Sequence, residues 1–188
     1  MRILITNDDG IYAEGIRVLA QHLRSLGEVF VVAPDRPRSA TGHSITLHKP
    51  LRLHRIHFPD GSIGYATNGT PTDCVTLGTH AVLNHRVDLV VSGINAGPNL
   101  GWDLTYSGTV AAAIEGAVHG INAFAISLAA EEILPLARSE ETNEPFPTET
   151  PILHYETAGI AATHIARLLA EHPLPPHTFL NINVPNLP

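Results

Sequence analysis

The chain has 188 residues, 44% of them hydrophobic, which is enough apolar material for one well-packed core, and a single domain over residues 1–188 is expected. Its formal net charge is −7, with six glutamates against Arg138 gathered between residues 131 and 151, so no part of the chain supplies the concentrated positive field that duplex nucleic acid requires. No run approaches the roughly 18 apolar residues of a membrane span, the acidic turn at Asn7-Asp8 comes too early for a secretory signal, and the lone cysteine, Cys74, excludes an internal disulfide or a thiolate zinc cluster; a soluble, cytoplasmic protein is expected.

Arg2 to Thr6 is a short apolar run ending in Asn7-Asp8-Asp9-Gly10. Ile16, Leu19, Ala20, Leu23 and Leu26 follow at helical spacing, with Gly27 placed to stop the helix. Val29 to Ala33 is a second β-branched run closed by Pro34, and a polar stretch runs from Asp35 to Ser44. Two buried runs joined by one amphipathic helix predict parallel strands and a right-handed crossover. Ile45 to His48, Leu51 to Phe58 and Ile63 to Thr67 read as a hairpin-like insertion, with Pro59-Asp60-Gly61 as the turn between the last two.

Thr70 to Leu83 predicts a helix capped by Thr70 or Thr72, with Pro71 in its first turn and Cys74 buried along it. Asp88 to Ser92 is another buried strand, and Gly93 to Gly108 is a glycine- and asparagine-rich loop. Val110, Ala113, Ile114, Ala117 and Val118 then mark a helix face, and Ala123 to Leu128 a strand. Glu131 to Pro151 has no apolar period and reads as a solvated loop. Ala158, Ala161, Ala162, Ile165, Leu168 and Leu169 recur at helical spacing, and Phe179 to Val184 is the final strand. Strands alternating with amphipathic helices predict a three-layer α/β/α sandwich with its ligand site beyond the carboxyl ends of the parallel strands.

Three loops meet at that end: Asn7 to Gly10, Pro34 to Ser44 and Gly93 to Gly108. Adjacent carboxylates at Asp8 and Asp9 repel, and a divalent cation between them is the simplest relief. With carboxylates, hydroxyls and amides on offer and no thiolates, a hard ion such as Mg²⁺ or Mn²⁺ is favoured over zinc. Each residue alone has an ordinary reading too. Asp-Asp-Gly is a common turn and Asp9 a possible helix cap, Ser39 a loop hydroxyl, Asn95 a turn residue. Tyr106-Ser107-Gly108-Thr109 precedes the Val110 helix and reads equally as a cap or as an anion site at a helix N-terminus. The twelve histidines form no H-x-H or H-E-x-x-H pattern. Neither a P-loop nor a G-x-G-x-x-G fingerprint is present, which leaves hydrolysis by an activated water.

Five stretches in order resemble one family: Arg2 to Ile11, Ser39-Ala40-Thr41-Gly42-His43-Ser44-Ile45-Thr46, Asn68-Gly69-Thr70-Pro71-Thr72-Asp73-Cys74-Val75, Ser92 to Gly101, and Tyr106-Ser107-Gly108-Thr109-Val110 to Ala113. Together they resemble the SurE family of stationary-phase survival proteins. The resemblance implies a 5′/3′-nucleotidase with a Rossmann-like core and one divalent metal, Mg²⁺ or Mn²⁺, held by Asp8, Asp9, Ser39 and Asn95. It makes Asp8 and Asp9 the catalytic residues, with the choice of base between them open. It places the phosphoryl group on Ser107, Gly108 and Thr109, and Gly42, His43, Asn68 and Asn99 along the substrate cleft. Family members continue into an extension used in assembly, so a homodimer is expected here, and a tetramer where that extension exists. Arg36, Arg38, Lys49, Arg52 and Arg55 read first as solvated loop charges and second as a reason for side activity on short polyphosphate. A phosphoacceptor signalling domain is the rival binding reading, but it wants a third aspartate and a lysine after Ala123 to Leu128. A covalent aspartyl phosphatase wants Asp-x-Asp spacing.

Overall fold

The computed structural model describes residues 1–130 and 152–188. In chain order the elements are β1 (Arg2–Thr6), α1 (Glu14–Leu23), β2 (Glu28–Pro34), β3 (Leu53–His57), β4 (Ile63–Thr67), α2 (Pro71–Leu77), β5 (Leu89–Ala96), α3 (Gly108–Val118), β6 (Asn122–Ala129), α4 (Tyr155–Glu171) and β7 (Phe179–Pro185). The strands form one sheet in the order β3-β4-β2-β1-β5-β6-β7. Every neighbouring pair is parallel except β3–β4.

The central strands are apolar on both faces because both faces are covered. Ile3 and Ile5 of β1 pack with α1 and α4, whereas Leu4 packs with α2 and α3. β6 divides its residues by size: Phe124, Ile126 and Leu128 face α1 and α4, while Ala123 and Ala125 face α3. Small residues on that side let α3 lie close to the sheet. A Cβ on Gly116 would fall 2.9 Å from the Cβ atoms of Ala123 and Val90. The three-layer Rossmann-like architecture is thus present, and no described helix is long and apolar enough to cross a membrane.

Several local expectations are corrected. The first helix ends at Leu23, short of Leu26, because the chain must turn to lay β2 beside β1. Gly27 serves that turn rather than a helix cap: a Cβ there would lie 2.0 Å from the Met1 carbonyl oxygen. Ile45 to His48 is not a strand, since the Thr46 N–H and hydroxyl donate to Asp73 at the start of α2 instead of to a sheet neighbour. The hairpin β3–β4 is the edge of the main sheet, with β4 pairing parallel to β2. Helix α2 stops at Leu77 and continues as a wider π-helical turn from Gly78 to Val82. Its cap is Thr70, in a reciprocal box with Asp73, and Thr72 lies inside the helix. β5 runs beyond Ser92 to Ala96, with a bulge between Gly93 and Asn95. The acidic stretch from Glu131 to Pro151 lies outside the described residues.

Candidate active site

β1 has β2 on one side and β5 on the other, so the chain leaves its carboxyl end at the point where the strand order reverses. The loop there is held by Asn7, whose buried side chain donates to the Gly10 carbonyl (2.9 Å) and accepts from the Gly10 N–H (3.2 Å). Gly10 has φ +96°, and a Cβ on it would meet the Arg36 backbone at 3.1 Å. This tight turn presents Asp8 and Asp9. Asp9 does not cap α1, whose cap position is Ala13 with no side-chain bond.

Asp8 points at the N-terminus of α3. Its Oδ2 accepts from the Thr109 N–H at 3.1 Å, and the Thr109 hydroxyl donates to its Oδ1. Gly108 is required for this approach, because a Cβ there would fall 2.8 Å from the Asp8 Cβ and 2.9 Å from Oδ2. Ser107 is a true cap: its Oγ accepts from the Val110 N–H at 3.1 Å. The cap reading of the Ser107-Gly108-Thr109 stretch thus holds, and the Asp8 carboxylate is seated at the helix end.

The other loops close on the same place. The Arg38 N–H donates to the Asp8 carbonyl at 2.7 Å, and the Gly42 N–H to the Tyr106 carbonyl at 2.9 Å, which ties the Asp35 to Ser44 loop to both β1 and the entry of α3. Ser39 is exposed on that loop. Asn95 ends β5 half-buried; its Nδ2 donates to the Gly97 carbonyl at 2.8 Å, which leaves its Oδ1 without a partner among the described residues. The Ala96 N–H lies 3.4 Å from Asp9 Oδ2, placing the end of β5 against the second carboxylate.

Burial pushes the Asp8 carboxyl up, opposed by the two Thr109 bonds. Asp9 is raised to about 6, first by burial and second by the Asp8 charge, with the Ala96 N–H pulling it down. No ion pair among the described residues involves either acid. Nor do three or more His, Cys, Asp or Glu gather around one point among those residues. Two carboxylates, with the Thr109 hydroxyl on Asp8 and the end of β5 against Asp9, are an oxygen-rich set with an unmet need for positive charge, which suits a hard divalent cation.

Three residues expected along the cleft have their side chains engaged elsewhere. His43 Nε2 lies 2.8 Å from Glu115 Oε2 on α3. Asn68 accepts from the Arg52 N–H (2.7 Å) and donates to the Pro50 carbonyl (3.2 Å), so its amide shapes the β3 approach. Asn99 donates from Nδ2 to Ser127 Oγ at 2.8 Å, and its main chain is held by Asn181 and Asn183. Arg38, read from the sequence as a solvated loop charge, is half-buried, and its guanidinium reaches the Asn68 carbonyl at 2.8 Å; Tyr155 of α4 was not singled out. Burial and the nearby Asp9 and Glu14 charges push the Tyr155 phenol up to about 12. Neither carries a local sequence signal. A cavity of about 210 Å³ between α1 and the hairpin has mostly apolar walls, and its charged rim, Arg24 with Asp60, is already paired at 2.7 Å, so it offers no chemistry.

The family model described as "Survival protein SurE" matches residues 3–188. Proteins named "5'-nucleotidase SurE" from Geobacter metallireducens and Pelobacter propionicus are 49% and 52% identical to this chain over its whole length, which spans 66% and 67% of theirs. The chain thus covers about two thirds of the curated relatives it matches. The crystal structure of the SurE protein from Aquifex aeolicus superposes with a TM-score of 0.82 at 39% identity, across all of this chain and 67% of that one.

Proposed function

The chain belongs to the SurE family, and from that membership together with the acidic pair in its crevice we propose that it is a metal-dependent phosphatase that hydrolyses nucleoside monophosphates to nucleoside and phosphate. The observation that carries the reading is the pair itself: Asp8 and Asp9 are buried or half-buried, raised by desolvation, and unmatched by any cationic side chain among the described residues. Asp8, Asp9, Ser39 and Asn95 would hold one divalent cation, Mg²⁺ or Mn²⁺. When bound, it supplies positive charge against the phosphate oxygens and makes a water more acidic.

The remaining roles fall to the chain's own groups. Thr109 orients Asp8 through both its N–H and its hydroxyl, and the positive end of α3 faces the same crevice and offsets phosphate charge. Asp9 has one long bond, from Ala96, and keeps lone pairs free, so it is the acid left able to accept a proton. It takes the proton of the attacking water. The phosphoester P–O bond then breaks, and the departing nucleoside oxygen acquires a proton from solvent. The proposal extends to 5′- and 3′-monophosphates alike, as the resemblance to the SurE family implies. The exposed Arg36, Lys49, Arg52 and Arg55 support a side activity on short polyphosphate.

The test is phosphate release from a panel of nucleoside 5′- and 3′-monophosphates and tripolyphosphate, in Mg²⁺, Mn²⁺ or EDTA. Release that depends on a metal and on a nucleoside monophosphate is expected; release unaffected by EDTA would overturn the reading.

A further inference from the structure

The final strand carries two asparagines, Asn181 and Asn183, at a position where a sheet of this kind is otherwise apolar. Their neighbours Leu180, Ile182 and Val184 pack with α1 and α4, and Phe179 packs on the opposite side with α3. By alternation Asn181 and Asn183 share the α3 side with Phe179. There they grip the backbone of a single residue. The Asn99 N–H donates to Asn183 Oδ1 at 2.8 Å. The Asn99 carbonyl accepts from Asn183 Nδ2 at 3.1 Å and from Asn181 Nδ2 at 2.9 Å. Asn99 Nδ2 in turn donates to the fully buried Ser127 Oγ at 2.8 Å. Ser127 pairs across the sheet with Asn95 on one side and Asn183 on the other.

The held segment begins with groups of the site. Asn95 ends β5 after the bulge, its Nδ2 closes a turn onto the Gly97 carbonyl, and the Ala96 N–H faces Asp9. From Asn95 to Asn99 the chain has one fixed end in β5 and the other in the asparagine clamp. Releasing Asn99 frees the second end and leaves the Asn95–Ala96 segment held only by its pairing with Ser127 and Leu128 of β6 and by the Asn95–Gly97 turn. An apolar residue would fill the space on β7 without the cost of burying amides, and Asn181 Oδ1 is indeed buried with no partner. A residue pair that accepts that cost is explained by what it holds.

We propose that Asn181 and Asn183 are positioning residues of the phosphatase site, which act through Asn99 to fix the Asn95–Ala96 segment beside Asp9. The inference rests on the metal-site reading above. Neither asparagine is among the residues proposed to hold the metal; each acts through Asn99.

The test pairs Mn²⁺ affinity, from the electron paramagnetic resonance signal of free Mn²⁺, with amide exchange at Asn99 in the metal-free protein. Wild type is compared with Asn183→Leu, Asn183→Asp, Asn181→Leu and, as a structural control, Asn122→Leu. Asn122 Oδ1 accepts from the Leu174 N–H at 2.9 Å at the amino end of β6, the opposite end of the strand from Ser127. Asn183→Leu should weaken Mn²⁺ binding about 10- to 100-fold and speed exchange at Asn99. Asn183→Asp, which keeps the acceptor for the Asn99 N–H, should fall between. Asn122→Leu should lower the thermal midpoint with Mn²⁺ affinity unchanged. Should Asn183→Leu not fold, Asn183→Asp and Asn181→Leu carry the comparison. Wild-type affinity and wild-type exchange in folded clamp variants would overturn the inference alone. Faster exchange in the variants of a protein whose wild type binds no Mn²⁺ would show the clamp while removing the metal reading, and with it the proposed role.

Discussion

Because burial and the Asp8 charge hold the Asp9 carboxyl near 6 instead of 3.8, the folded metal-free protein keeps a proton there that the unfolded chain has released. Between about pH 4 and pH 6 Asp9 thus holds more of a proton in the native state, and its contribution to stability falls as pH rises through that window. The contribution lost is at most about 3 kcal/mol, reached above the folded value. In EDTA the thermal midpoint of wild type should drop across this range relative to Asp9→Asn; parallel profiles would mean that Asp9 is not perturbed. Thr109→Val makes a separate point, since it keeps the N–H to Asp8 and deletes the hydroxyl. It should cost about 1 kcal/mol of stability and about 10-fold or more in Mn²⁺ affinity, read by urea denaturation and metal titration. At this scale the sequence showed the acids and the oxygen donors but not their couplings. The bonds from Thr109 to Asp8 and from His43 to Glu115 join residues far apart in the chain, and nothing in local periodicity announces such partners.

Helix α3 shows how an element is placed by what it lacks. Gly116 lets it lie against Ala123 and Val90, and Gly108 lets its first turn meet Asp8. Helix propensity alone would favour Gly108→Ala by about 1 kcal/mol. The 2.8 Å approach to Asp8 Cβ predicts the opposite for the site: displacement of Asp8 and at least a 10-fold loss of metal affinity, checked by Mn²⁺ titration against Gly120→Ala, which strains the backbone at φ +73° beyond the other end of α3 and should leave Mn²⁺ affinity unchanged. Helix α2 gives a second case, because Thr70 and Asp73 also hold the crevice loop through Ser44 and Thr46. Thr70→Ala should destabilise by about 1 kcal/mol or more in urea. The helices were legible from their periodicity, and the chemistry of the α2 cap narrowed it to Thr70 or Thr72. The extension of β5 to Ala96 was not, since Gly93 and Asn95 carry the composition of a turn and are strand residues only because β6 supplies a partner. The supposed strand at Ile45 to His48 failed for the converse reason: its backbone found a helix cap.

For the molecule as a whole, alternating apolar runs were sufficient to indicate three layers and a crevice at the reversal of strand order, and the sheet delivers Asp8, Asp9, Asn95 and the α3 terminus to it. What the pattern could not express was which edge the hairpin would take, or that polar Asn181 and Asn183 in an apolar-reading strand would reach back to Asn99. A cation that binds only the folded crevice stabilises the entire fold by mass action, about 2.7 kcal/mol at a hundredfold excess over its dissociation constant. Mn²⁺ should therefore raise the thermal midpoint at pH 7.5, and EDTA should reverse it; a midpoint indifferent to Mn²⁺ would argue against a folded-state metal site. The most direct test of the central claim compares phosphate release from a nucleoside 5′-monophosphate by wild type and Asp8→Asn in saturating Mn²⁺. A loss of a thousandfold or so in the variant, with its fold intact by circular dichroism, is the predicted result. Turnover that survives the substitution would contradict the account, because no phosphatase built on this acidic pair can lose Asp8 and keep its rate.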